Sequence, residues 1–253
     1  MKKAQFWIAI GVSAIVLTAC SNGQRRGPPT KVIERVLATA PGKAQPSDIV
    51  AREIEYAQSA KQVGQIVAAE DFAAPGALMH VRGGPVEFSA LSSLLKTLEI
   101  DNQWKPRTVV MSCDGALAIS QGRFTDKDGK VGNYVTVWAR QSDNQYKWTY
   151  DVAGYDDPQP PKRAEFEDGD IVVTAIDAVQ GLVATCPQGD GAAPPPPAVS
   201  IGEDGKSDAQ LSSDGTLQWT WDHGADGTKN MTAQYFYEGE WVTAVQESLA
   251  PIE

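Results

Sequence analysis

The chain is 253 residues long, 42% hydrophobic, and carries 22 basic against 32 acidic side chains, a formal net charge of −10. That length holds one large domain or two small ones. The acidic balance argues against nucleic acid and anionic lipid surfaces as partners.

The first 19 residues are built like a secretory signal. Lys2 and Lys3 form a positive start, and Phe6 to Leu17 form an apolar middle of about 12 residues, where a spanning helix needs roughly 20. Leu17-Thr18-Ala19-Cys20 closes the segment. These four residues resemble the lipobox of bacterial lipoproteins, in which the chain is cut before the cysteine and the cysteine is acylated. The resemblance implies Cys20 as the lipidation site, with palmitate among its acyl chains, and the membrane as a partner through that anchor. Family lipoproteins carry two or three chains, enough for stable anchoring where one is not. Ser21 follows the cysteine, where an aspartate tends to hold enteric relatives in the inner membrane; the resemblance thus implies the outer membrane, facing the periplasm. A plain cleaved signal is the alternative. Residues 20–45 are polar, with Gly27-Pro28-Pro29 and Pro41-Gly42 inside, and read as a tether.

With Cys20 consumed by lipid, Cys113 and Cys186 remain in an oxidising compartment. Pairing is the expectation, worth roughly 4 kcal/mol in the chain-entropy model. Two unrelated thiols are the alternative, and neither has a histidine near it in sequence to make it a catalytic thiol.

Pro46-Ser47-Asp48 is a helix start, with Ser47 as the cap. Ile49, Tyr56, Ala60, Val63 and Val67 fall near one helical face, which predicts a helix to about Ala60 and a second, or its continuation, to about Phe72. Pro75-Gly76 reads as a stop, Ala77 to Val81 as a strand and Gly83-Gly84-Pro85 as a turn. Leu91, Leu94, Leu95 and Leu98 predict a third helix over Phe88 to Leu98. The period then becomes extended. Thr108 to Ser112, Ala116 to Phe124, Asn133 to Gln141 and Tyr146 to Tyr155 are four predicted strands of an antiparallel meander, joined by Asp-Gly and Asp-Asn turns. Residues 159–198 form a Pro-rich linker with short strands at Ile171 to Ile176 and Leu182 to Thr185, ending in four consecutive prolines. Residues 199–253 give a smaller meander: Gly205 to Asp214 loop-like, then strands at Thr216 to Trp221, Met231 to Tyr237 and Trp241 to Gln246. Its order of strand, Asp-Gly turn, strand, Gly turn and Trp-bearing strand echoes the first meander, as any three-strand meander would.

Three helical segments before a run of strands is the order of a cystatin-like α+β roll: N-terminal helices packed on a curved antiparallel sheet, here with a small C-terminal β extension. Asp114-Gly115-Ala116-Leu117-Ala118, Gly122-Arg123-Phe124, Asp128-Gly129-Lys130, Tyr134-Val135-Thr136-Val137-Trp138-Ala139-Arg140-Gln141 and Tyr146-Lys147-Trp148-Thr149-Tyr150-Asp151-Val152 tighten the match. They resemble the SnoaL-like branch of the nuclear-transport-factor-2-like superfamily, over residues 46–158. The resemblance implies a sheet wrapped around the long helix with a cone-shaped pocket. It says little about activity, because this superfold hosts enzymes, binding modules and scaffolds.

Ketosteroid isomerases of that superfamily use a tyrosine on the first helix, a part Tyr56 fits. Where they carry an aspartate base this chain has Met79-His80-Val81-Arg82, without a carboxylate. Dehydratase-like members use a histidine–aspartate pair, of which His80 fits one half. Each candidate also has a bland reading: His80 as a hydrogen-bonded strand residue, Asp151 as a backbone or arginine holder, Tyr56 as core. Trp104, Trp138 and Trp148 are either core or an aromatic wall for an apolar ligand. His80 and His223 have no paired metal-ligand spacing, the Asp-Gly loops fail the calcium pattern, and no phosphate loop, dinucleotide fingerprint or nucleophile elbow occurs, so no metal or cofactor is implied. The expectation is therefore non-catalytic binding of a small apolar ligand or an envelope protein. An isomerase- or dehydratase-type enzyme is the rival, and a structural scaffold leaves a homodimer open. The lining of the cone separates them: two or more titratable groups at one open space favour the enzyme, an aromatic lining favours binding.

Overall fold

The computed structural model describes residues 44–98, 100–161, 178–187, 192–202 and 205–251. The signal-like segment, Cys20, most of the tether and the predicted strand at Ile171 to Ile176 lie outside them.

The first helix, α1 (Pro46–Val63), starts two residues earlier than a Ser47 cap predicts. Gln45 is the N-cap and Pro46 takes the first turn, where a missing N–H costs nothing and the fixed φ suits the helix. Ser47 therefore lies inside the turn rather than capping it. Gly64, at φ 96°, ends α1, and α2 (Gln65–Phe72) leaves in a new direction. That break takes Val67 off the apolar stripe that a continuous period predicts, and Val63, the last residue of α1, is exposed as well. Ile49, Ile66, Ala69 and Phe72 are buried.

Pro75-Gly76 does not interrupt the chain but sits inside β1 (Ala73–Val81). Its pairing with the strand Tyr146–Tyr155 is irregular between Ala73 and Leu78, which absorbs both residues. β2 (Gly84–Glu87) pairs back on β1, and α3 (Phe88–Leu95) follows, ending before Leu98. The meander is β3 (Gln103–Met111), β4 (Leu117–Thr125), β5 (Val131–Arg140) and β6 (Tyr146–Tyr155). With β7 (Gln180–Val183) it completes a seven-stranded sheet in the order β2-β1-β6-β5-β4-β3-β7. The sheet is mixed rather than wholly antiparallel, because β1 joins β6, and β7 joins β3, in parallel. Register shifts at Arg107 and at Thr149 add bends, as bulges do, and help curl the sheet around α1. The architecture is an α+β roll.

Val109, Met111, Ala118, Trp138 and Trp148 face the helices and pack on Ile49, Ile66, Phe72 and Phe88. The opposite face carries Val110, Ile119, Val135, Val137, Tyr150 and Val152. It is covered by a four-stranded sheet: β8 (Ser207–Leu211), β9 (Leu217–His223), β10 (Lys229–Tyr237) and β11 (Glu240–Leu249), in the order β11-β10-β9-β8. Trp219, Trp221, Met231, Ala233 and Val245 complete this second core. The strand β8 occupies part of the stretch expected to be loop. It is an edge strand with little burial, so its polar residues leave no apolar alternation to detect.

Cys113 and Cys186 form a disulfide, with Cα atoms 5.1 Å apart. Beside it, two turns of the same design meet. Ser112 and Ser212 each donate from the hydroxyl to the aspartate two residues on (Asp114, Asp214) at 2.6 Å. Their N–H groups donate to Leu117 and Leu217 carbonyls at 2.9 and 2.8 Å, and Gly115 and Gly215 take φ values of 65° and 70°. The turns then bond to each other. Asp114 N–H donates to Asp214 Oδ2 at 2.8 Å, and Ser213 Oγ donates to Asp114 Oδ2 at 2.9 Å. The echo between the meanders thus extends to matching side-chain hydrogen bonds, which meander order alone does not require.

Candidate functional site

A cavity of about 80 Å³ lies between α1 and the inner face of the sheet. Two local features shape its walls. Gly122 lets β4 approach closely: a Cβ there would run into the Lys105 carbonyl and the Tyr134 ring. The bulge at Thr149 then changes the alternation of β6. Trp148 and Asp151, three residues apart, both face the helices, while Tyr150 points to the second sheet.

Two carboxylates reach this cavity. Glu53, on α1, is 2% exposed. Its Oε1 accepts from Ser120 Oγ at 2.5 Å, and its Oε2 accepts from Trp104 Nε1 at 2.9 Å and, at the long distance of 3.4 Å, from Tyr134 OH. Ser120 Oγ in turn accepts from Trp138 Nε1 at 3.0 Å. Burial raises the Glu53 carboxyl to about 7, against the opposing effect of the Ser120 and Trp104 hydrogen bonds. Asp151 accepts from Thr136 Oγ1 at 2.6 Å, and its other oxygen meets no hydrogen-bond partner among the described residues. Burial raises Asp151 to about 6, with Thr136 and the Lys229 charge pulling the other way.

Tyr56 stands over the cavity, stacked on Phe72 and edge-on to Trp104, both at 4.9 Å. Burial holds its hydroxyl well above its usual titration range, with Asp151 and Glu53 adding to the effect. That hydroxyl meets no hydrogen-bond partner among the described residues. Gln65, Asn102, Trp104 and Phe124 line both this cavity and a larger groove of about 1080 Å³ along α1.

Three of the sequence candidates thus converge: Tyr56, Trp104 and Asp151. The others do not line the cavity. Trp138 and Trp148 are core residues; Trp148 donates to the Ala69 carbonyl at 3.1 Å and meets Phe88 edge-on. His80 faces the opposite side of the sheet, because strand alternation gives the helix side to Met79. There Tyr150 OH lies 2.5 Å from His80 Nδ1, and His80 Nε2 lies 2.9 Å from His223 Nδ1. With the tyrosine donating, His80 keeps its proton on Nε2 and directs it toward His223. Burial, then the His223 and Lys229 charges, lowers His80 to about 4. The chain's two histidines therefore link the two sheets.

The functional residue that sequence reasoning misses is Glu53. It lies between Ile49 and Tyr56 on the same helical face, so an acid within the apolar stripe is the available signal.

The chain matches no protein-family model, and no curated protein matches it. The solved structures to which it is similar include these three. One is a conserved protein from Planctomyces limnophilus, 10% identical, covering 43% of this chain and 97% of that one, with a TM-score of 0.33. The second is a nuclear transport factor 2-like superfamily protein from Salmonella enterica serovar Typhimurium, at 12% identity, 50% and 96% coverage and a TM-score of 0.35. The third is a protein of unknown function with a cystatin-like fold from Methylobium petroleophilum, at 16% identity, 54% and 99% coverage and a TM-score of 0.31.

Proposed function

We propose that this chain is a lipid-anchored protein of the bacterial envelope, held through Cys20, whose roll domain binds a small molecule without transforming it. The observation that carries the binding reading is the cavity beside α1, where the Tyr56 hydroxyl and one Asp151 oxygen stand without a protein partner. Both residues are half-buried, so water can meet these groups in the empty cavity, and a ligand that displaces it has to supply their partners. The acidic floor changes the expected ligand: an entirely apolar one would leave these groups unmet. Glu53 argues for binding over catalysis, because both its oxygens are occupied by Ser120, Trp104 and Tyr134. It fastens α1 to the sheet rather than standing free as a base.

Ala153 lines the cavity without a polar side chain. Ligand-detected magnetic resonance against a small-molecule set is expected to find binders that Ala153→Leu displaces by filling the space. Binders indifferent to that change, or none, would reject the reading. Two carboxylates at one open space also support acid–base chemistry at Asp151. Turnover of a binder, lost in Asp151→Asn, would replace binding by catalysis. The anchor is tested separately: Cys20→Ser should move the protein out of the membrane fraction, and retention there would refute lipidation at Cys20.

A further inference from the structure

We propose that the cavity takes the ammonium head of a small organic cation, set between the Asp151 carboxylate and the Tyr56 hydroxyl; this rests on the reading of the cavity as a ligand site. Charge points there first. Glu53 and Asp151 share the space, and no Lys, Arg or His is among the described residues that line it. The nearby cation is Lys229 on β10, which reaches from the second sheet and donates from Nζ to the Ala153 carbonyl at 2.5 Å. An anion entering would meet two acids. A neutral apolar group would leave the free Asp151 oxygen and the Tyr56 hydroxyl without partners. An ammonium group supplies donors to both.

The walls suit the same occupant. Tyr56, Trp104, Phe124 and Tyr134 surround the acids. Aromatic faces attract a cation through their quadrupoles, and more strongly where water is excluded. Size fits as well. About 80 Å³ holds a head group of a few heavy atoms, since a single water needs about 10–15 Å³ of such space. A short alkyl tail has a way out across Trp104 and Phe124 into the groove, whose α1 wall carries Val50, Ile54 and Ala57.

Protonation then couples to binding. The groups facing Asp151 are Glu53 and Tyr56 from α1, Trp104 from β3, Tyr134 and Thr136 from β5, and Lys229 from beyond the sheet. Both carboxyls are raised toward neutrality by burial, so an entering cation favours their ionised forms and displaces protons. Affinity for a cation should therefore rise with pH.

The test is calorimetric titration of the full chain in neutral detergent with butylammonium chloride, beside butanol and butyrate of the same length. Butylammonium should bind at least tenfold more tightly than either, release protons, and bind about tenfold more tightly at pH 8 than at pH 5.5. Asp151→Asn should cost about tenfold, and Tyr56→Phe, which keeps the ring packing, several-fold; circular dichroism checks that both fold. The proposal fails if butylammonium binds no better than butanol, or if neither substitution weakens it. Binding of butanol or butyrate alone, abolished by Ala153→Leu, would overturn the cation and leave the ligand site standing. Failure of all three probes would overturn the cation, and the screen against Ala153→Leu then decides the ligand site on its own.

Discussion

Replacing both Cys113 and Cys186 by alanine should lower stability by about 4 kcal/mol, because the bridge joins residues 73 apart in sequence. The effect lies in the unfolded chain: opening the loop gives it freedom it did not have before. Since a native domain rests on about 5–15 kcal/mol in total, this is a large fraction. For a protein of this size the melting temperature should fall by roughly 10 °C. Urea unfolding of the oxidised parent and the double variant, at matched pH, measures the difference. A loss under about 1 kcal/mol would mean that the unfolded chain is already compact around this point.

The location of the bridge makes a local consequence expected as well. Cys186 follows β7, and the intervening residues are stitched to both sheets: Ala184 N–H donates to the Met111 carbonyl and Thr185 N–H to the Phe236 carbonyl, at 2.9 and 2.7 Å. Cys113 N–H donates to Thr216 Oγ1 at 2.9 Å, within the paired turns. The disulfide therefore sits where the two sheets and the returning chain meet. Without it, amide exchange should accelerate first at Ala184, Thr185 and the Ser212–Gly215 turn.

That the two cysteines pair is legible from their number and the expected compartment, with no geometry needed. Strand β6 is legible at both ends, since Tyr, Trp and Val alternate between turn residues. What escapes is anything that depends on one residue of register or on a distant partner. The bulge at Thr149 leaves no mark in composition, yet it decides that Asp151 faces the cavity. The outward face of β1 acquires meaning only once β9 and β10 lie against it, so His80 reads as a pocket base in sequence and is a link between sheets. Gly64 is readable as a glycine, but only its positive φ separates α1 from α2 and takes Val67 off the stripe. Glu53 stands in plain view on the stripe, but an acid on an apolar face is recognisable as deliberate only when its donors are known.

Burial, outweighing those donors, makes Glu53 the source of an unusual pH response. Its carboxyl titrates near 7 when folded against 4.5 ordinarily, so the folded state holds the proton more firmly than the unfolded chain. Stability from this group is present below about pH 4.5 and is lost as pH rises through 7, by about 3 kcal/mol in all. Asp151 acts in the same direction, between 3.8 and about 6. His80 opposes them: its value near 4 lies below the usual 6.5, so its contribution is lost as pH falls through that window. The parent's overall profile mixes these slopes and is a poor test. The difference between parent and Glu53→Gln is a clean one, since it removes one titration and leaves the others. The substituted amide brings an N–H₂ up to groups that already donate, so the variant should be the less stable at pH 4.5. As pH rises to 8 the gap should move in the variant's favour by about 3 kcal/mol, through the charge the parent must then bury. Urea unfolding of both proteins at pH 4.5, 6 and 8 reads this directly. A gap that stays constant would show that Glu53 ionises as easily folded as unfolded, and that its hydrogen bonds from Ser120, Trp104 and Tyr134 fully offset its burial.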